Sequence, residues 1–407
     1  MAIRTAAVLF VCVLALIVGP AVYMQAQTQR IPNAQNIDTD FHDVTTSLKI
    51  GAPAPDFTLP GTDLKLHSLK DFQSAKVLVV VFLCNHCPIS QMYEQRIKDL
   101  TAAYRDRGVA VVAINPNDPK AVKVSEQRHS DSGDTLTEMK VRAEARHFNF
   151  PYLSDADPLA LQAVSTKFGA VATPHVFIFD QERKLRYMGR VDNNQREEFI
   201  TKHDARDAVE ALLAGKPVEV ANTPVVGCVV KWAKTEGEAT AEIEKANQEP
   251  VVLQMAGVDQ IREIRKNATK KFVLVNLWAT WCQPCVQEFQ QTQFMNRAYG
   301  KREFEVVTVS VDPPERKDAV LVFLKDQHAN TRNYMFTGAN LEALTSAFGA
   351  QSWTGGVPEI ALLGLNGELI YSKEGPINPL FVRHVILKNL SDDIARGGAR
   401  AYWNSYF

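Results

Sequence analysis

The sequence predicts an α/β fold built twice in one chain, and three observations carry that expectation. First, Lys76–Leu83 and Phe272–Trp278 are runs of β-branched and large apolar residues, the pattern of strands covered on both faces. Second, each run is followed by apolar residues at helical spacing and then by another apolar run, and strands alternating with helices imply helices layered on a central sheet. Third, each first strand leads directly into a Cys-x-x-Cys pair, Cys84-Asn85-His86-Cys87 and Cys282-Gln283-Pro284-Cys285. The repetition of strand, cysteine pair and helix marks an internal duplication with diverged sequences.

Residues 1–26 read as a targeting segment. Arg4 supplies the positive end, Ala6–Val22 is apolar apart from Gly19 and Pro20, and Ala26 is a cleavage point if the segment is removed. It is either a secretory signal or an uncleaved anchor, and both put the bulk of the chain outside the cytoplasm, in the periplasm or cell envelope, where disulfides persist. Cys12 lies inside it and reads as a packing residue. Residues 27–47 are polar and aperiodic, a linker.

The first domain spans 48–215. Its elements are the first strand, a helix over Met92–Tyr104, a strand over Val109–Ile114, and a polar stretch from Ser125 to Asp134 that reads as a loop insertion. Then come a short apolar run at Phe150–Asp155, a helix through Lys167, β-runs over Ala170–Phe179 and Leu185–Val191, and a closing helix from Asp204 to Ala214. Residues 216–249, with Pro217, Pro224, Cys228 and the charged run Lys234–Lys245, read as a linker. The valines around Cys228 and Trp232 suggest that part of it docks as a strand. The second domain spans 250–392, with the strand over 272–278, a helix over 286–299, a strand over Phe304–Val311, helices near 321–327 and 341–348, and a hairpin closed by Asn366-Gly367. Residues 393–407 form a tail.

Composition narrows function. The chain has 407 residues, 46% hydrophobic and 22% charged, enough for two cores, and its net charge of −1 with no basic block argues against nucleic acid as a partner. Six cysteines are too few to staple a chain of this size, and four of them lie in the two pairs. Cysteines at a helix start meet unpaired N–H groups and the positive dipole end, which stabilise a thiolate. Thiolates attack disulfides, so each pair predicts a thiol–disulfide exchange centre.

In the second pair Cys282 comes first and is expected at the helix start as the exposed attacking thiol, with Cys285 resolving the mixed disulfide. Pro284 stiffens the turn, and Trp281 is expected to pack over the pair. In the first pair His86 places a cation beside a thiolate, which lowers the thiol pKa and makes the disulfide a stronger oxidant. A single zinc site made of all four paired cysteines fits poorly, since the pairs lie almost two hundred residues apart in separate strand–helix units. No cofactor and no metal is assigned, and copper(I) is the metal that thiolates and imidazole would suit. Cys228 either exchanges with Cys84 or Cys87 as an accessory thiol or is a buried core thiol. His175 lies either near the first pair or simply at a strand start.

Both copies resemble the thioredoxin superfamily. The second resembles its TlpA/ResA-like branch through Leu274–Glu288, with Trp281-Cys282-Gln283-Pro284-Cys285, and through Gly356-Val357-Pro358-Glu359. The first resembles the AhpC/TSA (redoxin) branch through Gly51-Ala52-Pro53-Ala54-Pro55-Asp56-Phe57, the Cys84–Cys87 pair and Thr173-Pro174. The resemblance implies tandem thioredoxin-like domains, each a central mixed β-sheet flanked by helices, with Pro174 and Pro358 as cis-prolines against the pairs. The position of the family's usual buried Asp is Asn276 here and, by the same count, Leu78 in the first domain. Glu288 matches the TlpA/ResA pattern and is assigned to proton handling, against the alternative of a solvated helix Glu. The implied activity is extracytoplasmic thiol–disulfide exchange on protein thiols and disulfides, with a membrane thiol reductant or apocytochrome c as partners. The alternatives are a peroxiredoxin-like antioxidant enzyme and a copper-handling thiol protein. Against the peroxidase stands the pattern itself: counted from either Cys84 or Cys87, the family's hydroxyl and proline positions hold Val81 and Val77, or Cys84 and Val80.

Overall fold

Two central sheets organise the chain in a computed structural model that describes residues 41–42, 47–156, 162–338, 340–349 and 353–390. The targeting segment with Cys12, most of the 27–47 stretch and the tail lie outside the described residues. Strand β1 (Val77–Phe82) is buried at every position, as expected of a strand covered on both faces. It pairs in parallel with β2 (Val109–Asn115), which pairs in parallel with β3 (Tyr152–Ser154). On its other side β1 runs antiparallel to β4 (His175–Phe179), which pairs antiparallel with β5 (Leu185–Gly189). The order β3-β2-β1-β4-β5 is a mixed sheet. Leu78, Val80 and Phe82 pack on one face with Phe168, Phe177 and Phe179, whose rings meet edge to face.

The second sheet repeats this plan with one added edge. Its strands are β6 (Leu253–Ala256), β7 (Phe272–Trp278), β8 (Phe304–Ser310), β9 (Arg332–Phe336), β10 (Glu359–Leu363) and β11 (Leu369–Glu374), in the order β6-β9-β8-β7-β10-β11. β7 is parallel to β8 and antiparallel to β10.

Helix α1 (Pro88–Tyr104) begins four residues before the expected Met92, because proline is well placed at the first helical position and Cys87 caps it. Helix α2 (Leu136–Ala145) opens on a Thr135–Glu138 capping box. Helix α3 (Gln283–Tyr299) starts immediately after Cys282, and α4 (Pro379–Asn389) closes the described second domain.

Of the two segments read as a linker and a loop insertion, the first docks as the valines around Cys228 and Trp232 suggest, and the second departs from its expected character. The 216–249 stretch is docked structure: Val225–Val226 pairs with Phe41–His42, Cys228–Val229 pairs antiparallel with Ala172–Thr173, and Glu236–Asn247 is a helix. Val230 is buried in the first core, which accounts for the docking of so short a strand. The polar stretch Ser125–Asp134 is not a free insertion. Ser130, Ser132 and Asp134 are buried, and the stretch sits between the first cysteine pair and the second domain. Tyr299 donates its hydroxyl to the Ser130 carbonyl at 2.8 Å, Arg302 donates to the Arg128 carbonyl at 2.8 Å, and His384 contacts Asp131 at 2.9 Å.

Candidate active site

Each cysteine pair lies where a central strand ends and its helix begins, facing a cis-proline loop. Both Thr173-Pro174 and Val357-Pro358 are cis peptides. Strand register aligns the two sites. Phe82 sits opposite His175, the residue after Pro174, and Leu277 sits opposite Glu359, the residue after Pro358. Counting five residues on from Phe82 and from Leu277 gives Cys87 and Cys282.

Local geometry gives the same match. Cys87 is the N-cap of α1 and accepts the Ser90 N–H at 3.4 Å; Cys282 is the N-cap of α3 and accepts the Cys285 N–H at 3.2 Å. Cys87 Sγ lies 3.4 Å from the Thr173 carbonyl oxygen, and Cys282 Sγ lies 3.5 Å from that of Val357.

The two Cys-x-x-Cys motifs are therefore not equivalent, which corrects the expectation of a simple repeat. Cys87 stands where Cys282 stands, Ser90 where Cys285 stands, and Cys84 where Ala279 stands. By the same register the counterpart of Asn276 is Val81, not Leu78. Sequence spacing missed this shift because the motif looks identical wherever the helix starts.

In the second site Cys282 and Cys285 are joined as a disulfide, and Cys282 is the more exposed at 5% against 2%. Both are buried in this form, against the expectation of an exposed Cys282. Trp281 is 58% exposed, so it flanks the pair at the surface instead of closing over it, while Trp278 beneath is fully buried. Glu288 Oε1 accepts the Ile377 N–H at 2.8 Å, its Oε2 is buried with no hydrogen-bond partner, and burial raises its pKa.

Glu359 is a further acid of this centre, visible in the Gly356-Val357-Pro358-Glu359 motif but with no role implied by its place there. It follows Pro358, is fully buried, and accepts a hydrogen bond from the Ser372 hydroxyl on Oε1, while Oε2 has no partner. Burial pushes its pKa up to about 7. A carboxyl that titrates near neutrality beside the cis-proline loop is suited to moving protons.

The first site is sealed and polar. Cys84 and Cys87 are free thiols and buried. Cys84 Sγ lies 2.9 Å from the Thr173 hydroxyl. His86 is buried, and its Nδ1 meets Asp134 Oδ2 at 2.5 Å. Burial opposes the imidazolium, but the Asp134 charge outweighs it and raises the His86 pKa; burial likewise opposes the Asp134 carboxylate, and His86 brings it down to about 2. Burial opposes ionisation of Cys87 too, yet hydrogen bonds with Cys228 and Cys84 and the His86 charge hold it well below the ordinary thiol value. Burial and Cys87 push Cys84 well above it. Cys87, which also accepts the Ser90 N–H at the helix start, is the better placed of the two to carry negative charge. His175 is a buried strand residue whose ring stacks 4.3 Å from Phe177.

Asp134 organises this site, and nothing in its polar surroundings of sequence marked it. Its Oδ1 accepts from the Asn85 N–H at 2.8 Å and Asn115 Nδ2 at 3.1 Å, and its Oδ2 accepts from Asn117 Nδ2 at 2.9 Å. Among the described residues Cys84, His86 and Asp134 form the one group with metal-ligand spacing. A metal there would displace the His86 Nδ1 contact and compete with the amide donors already on the carboxylate, from the backbone of Asn85 and His86 and the side chains of Asn115 and Asn117. The donors fit a charge pair better than a ligand set.

Residues 50–188 match the AhpC/TSA family and residues 254–384 match Redoxin. A stretch of 58 residues is 38% identical to the thiol-disulfide oxidoreductase ResA of Oceanobacillus iheyensis, covering 14% of this chain and 30% of that protein's length. A hypothetical protein from Sinorhizobium meliloti 1021 is 34% identical over 48% of this chain and 98% of its own, with a TM-score of 0.41. A putative thiol:disulfide interchange protein DsbE from Chlorobium tepidum is 18% identical over 42% of this chain and 98% of its own, with a TM-score of 0.31.

Proposed function

For a chain that joins an AhpC/TSA-family domain to a Redoxin-family domain, both of the thioredoxin fold, we propose thiol–disulfide oxidoreductase activity at two centres, led by Cys87 and Cys282. The observation that carries this reading is the shared geometry: each of these cysteines caps a helix and lies within 3.5 Å of the carbonyl preceding a cis-proline. The attacking thiolate forms a mixed disulfide with a protein substrate. Cys285 resolves it in the second centre and Cys84 in the first, leaving an intramolecular disulfide. Glu288 and Glu359, both with raised pKa values, take and return protons at the second centre. His86, held charged by Asp134, stabilises the Cys87 thiolate and makes the first centre the stronger oxidant.

The ResA stretch and the Trp281-to-Glu288 motif support reduction of extracytoplasmic protein disulfides by the second centre, apocytochrome c being one substrate class to try. The apolar run Ala6–Val22 supports a place in the periplasm or cell envelope. A peroxidase finds less support, since Cys84 occupies the position three residues before Cys87 where the peroxiredoxin pattern has a hydroxyl.

Turnover of the full chain with a protein disulfide such as insulin tests the reading. Cys285→Ser should accumulate a mixed disulfide through Cys282, and Cys87→Ala combined with Cys282→Ala should lower turnover at least 100-fold. Unchanged turnover in the double variant would refute it.

A further inference from the structure

The strand that carries Cys228 is fitted onto the cis-proline loop of the first centre. Cys228 is in register with Thr173, the residue whose hydroxyl touches Cys84 and whose carbonyl oxygen touches Cys87. Gly227 packs so closely on this loop that an added Cβ would collide with the Thr173 carbonyl oxygen and lie 3.2 Å from Pro174 N. Contact that tight on backbone excludes every other residue type at 227 without displacing the strand.

The segment is fastened on both sides. Met188 donates its N–H to the Ala221 carbonyl and Val230 donates to the Val171 carbonyl. Lys231 donates its N–H to Asn117 Oδ1 at 2.8 Å, and the same Asn117 donates to Asp134, the partner of His86. An extended segment paired with an exposed edge is how a peptide substrate is held by strand addition, with backbone bonds giving affinity and one side chain delivered to the site. Here the delivered side chain is a thiol, set in register with the residue whose carbonyl oxygen touches Cys87.

We propose that Cys228 is a third redox thiol of the first centre, presented by its own chain as a tethered substrate strand and forming a Cys87–Cys228 disulfide. The proposal rests on the reading of Cys84 and Cys87 as a redox pair. A small disulfide such as oxidised glutathione first converts the two thiols of that pair to a disulfide and is released as two thiols. The Cys228 thiolate then attacks Cys87 Sγ. The Cys87–Cys228 bond forms, the Cys84–Cys87 bond breaks, and Cys84 leaves as a thiolate that takes up the proton Cys228 gave up. This exchange moves the disulfide without net oxidation. It frees Cys84 and ties the interdomain segment to the first centre covalently.

The test is disulfide mapping of the full chain equilibrated in glutathione buffers, acid-quenched, alkylated and read by mass spectrometry. Wild type should yield both Cys84–Cys87 and Cys87–Cys228 linked peptides. Cys84→Ala is the informative variant, since the second domain carries Ala279 at the matching position. It should give Cys87–Cys228 as the main product, at least tenfold over glutathionylated Cys87. Gly227→Val should cut the Cys87–Cys228 yield at least tenfold while Cys84–Cys87 persists. If wild type forms Cys84–Cys87 but Cys228 stays alkylatable there and in Cys84→Ala, the third thiol is refuted and the redox pair stands. If wild type forms no Cys84–Cys87 disulfide, the underlying reading fails and the exchange step with it.

Discussion

At the scale of single residues, two buried acids set the behaviour of the two centres in opposite ways. Asp134 is held ionised by His86 and amide donors, and it keeps His86 protonated in turn. The Asp134 share of this stability is present above its ordinary value of 3.8 and is lost as pH falls toward 2. The His86 share is present below 6.5 and is lost as pH rises through its raised folded value. The pair therefore contributes most between those two ordinary values. Asp134→Asn should cost on the order of 2 kcal/mol there. It should also move the pH midpoint of Cys87 alkylation upward, because the imidazolium that stabilises the thiolate is no longer held. An unmoved midpoint would remove His86 from the account of Cys87. Glu359 works the other way. Its carboxyl is buried neutral, so the associated stability is present below about 4.5 and is lost as pH rises through about 7. Glu359→Gln should flatten the fall in melting temperature across that range and alter the pH profile of exchange at Cys282. The same decline with pH in the variant would assign it to another group.

At the scale of elements, the stretch from Gln127 to Glu138 joins a cysteine pair to a neighbouring domain. Ser130 donates its hydroxyl to the Asn85 carbonyl at 3.0 Å, and Asp134 holds the Asn85 and His86 amides. Its outer side meets the second domain, where buried Arg383 reaches Glu138 and Gln127 at 3.2 Å each and the Tyr299 hydroxyl at 3.2 Å. Arg383→Ala strips these contacts and removes the donor from which the buried Tyr299 hydroxyl accepts, so it should destabilise the full chain by about 2 kcal/mol. It should also raise the alkylation rate of Cys84 and Cys87 while leaving that of a reduced Cys282 unchanged. Equal effects on both centres would argue against a specific coupling. The limits of the sequence are clearest here. Strands β1 and β7 were legible because continuous apolar runs followed by cysteines and a helix have few other solutions. Glu288 and both prolines could be placed by motif. The polar stretch could not, because Ser130 and Asp134 are buried through side chains and backbone of other elements, among them Asn85, His86, Asn115 and Asn117, and no local period records that. The three-residue shift between the two motifs was hidden for a related reason. It is set by where Pro88 allows α1 to begin and by register against β4, neither of which the Cys-x-x-Cys spacing contains.

At the scale of the whole molecule, both sheets belong to one compact unit, and the second centre and the interdomain contact lie at opposite ends of one helix. Cys282 caps the start of α3, and Tyr299 at its end meets Ser130, beside the first centre. Seventeen residues of helix span about 25 Å. The segment between the two sheets is itself docked on the first centre. On the proposed function both centres are thiol–disulfide couples and the first is the more oxidising. A redox titration of the full chain across a graded glutathione series, with each disulfide quantified by differential alkylation and mass spectrometry, tests it most directly. Both centres should titrate as two-electron couples, the Cys282–Cys285 pair at the lower potential and the first centre at least ~30 mV above it, a tenfold difference in equilibrium constant. Cysteines of either centre that stay reduced across the whole series, or a first centre at or below the potential of the second, would contradict the account.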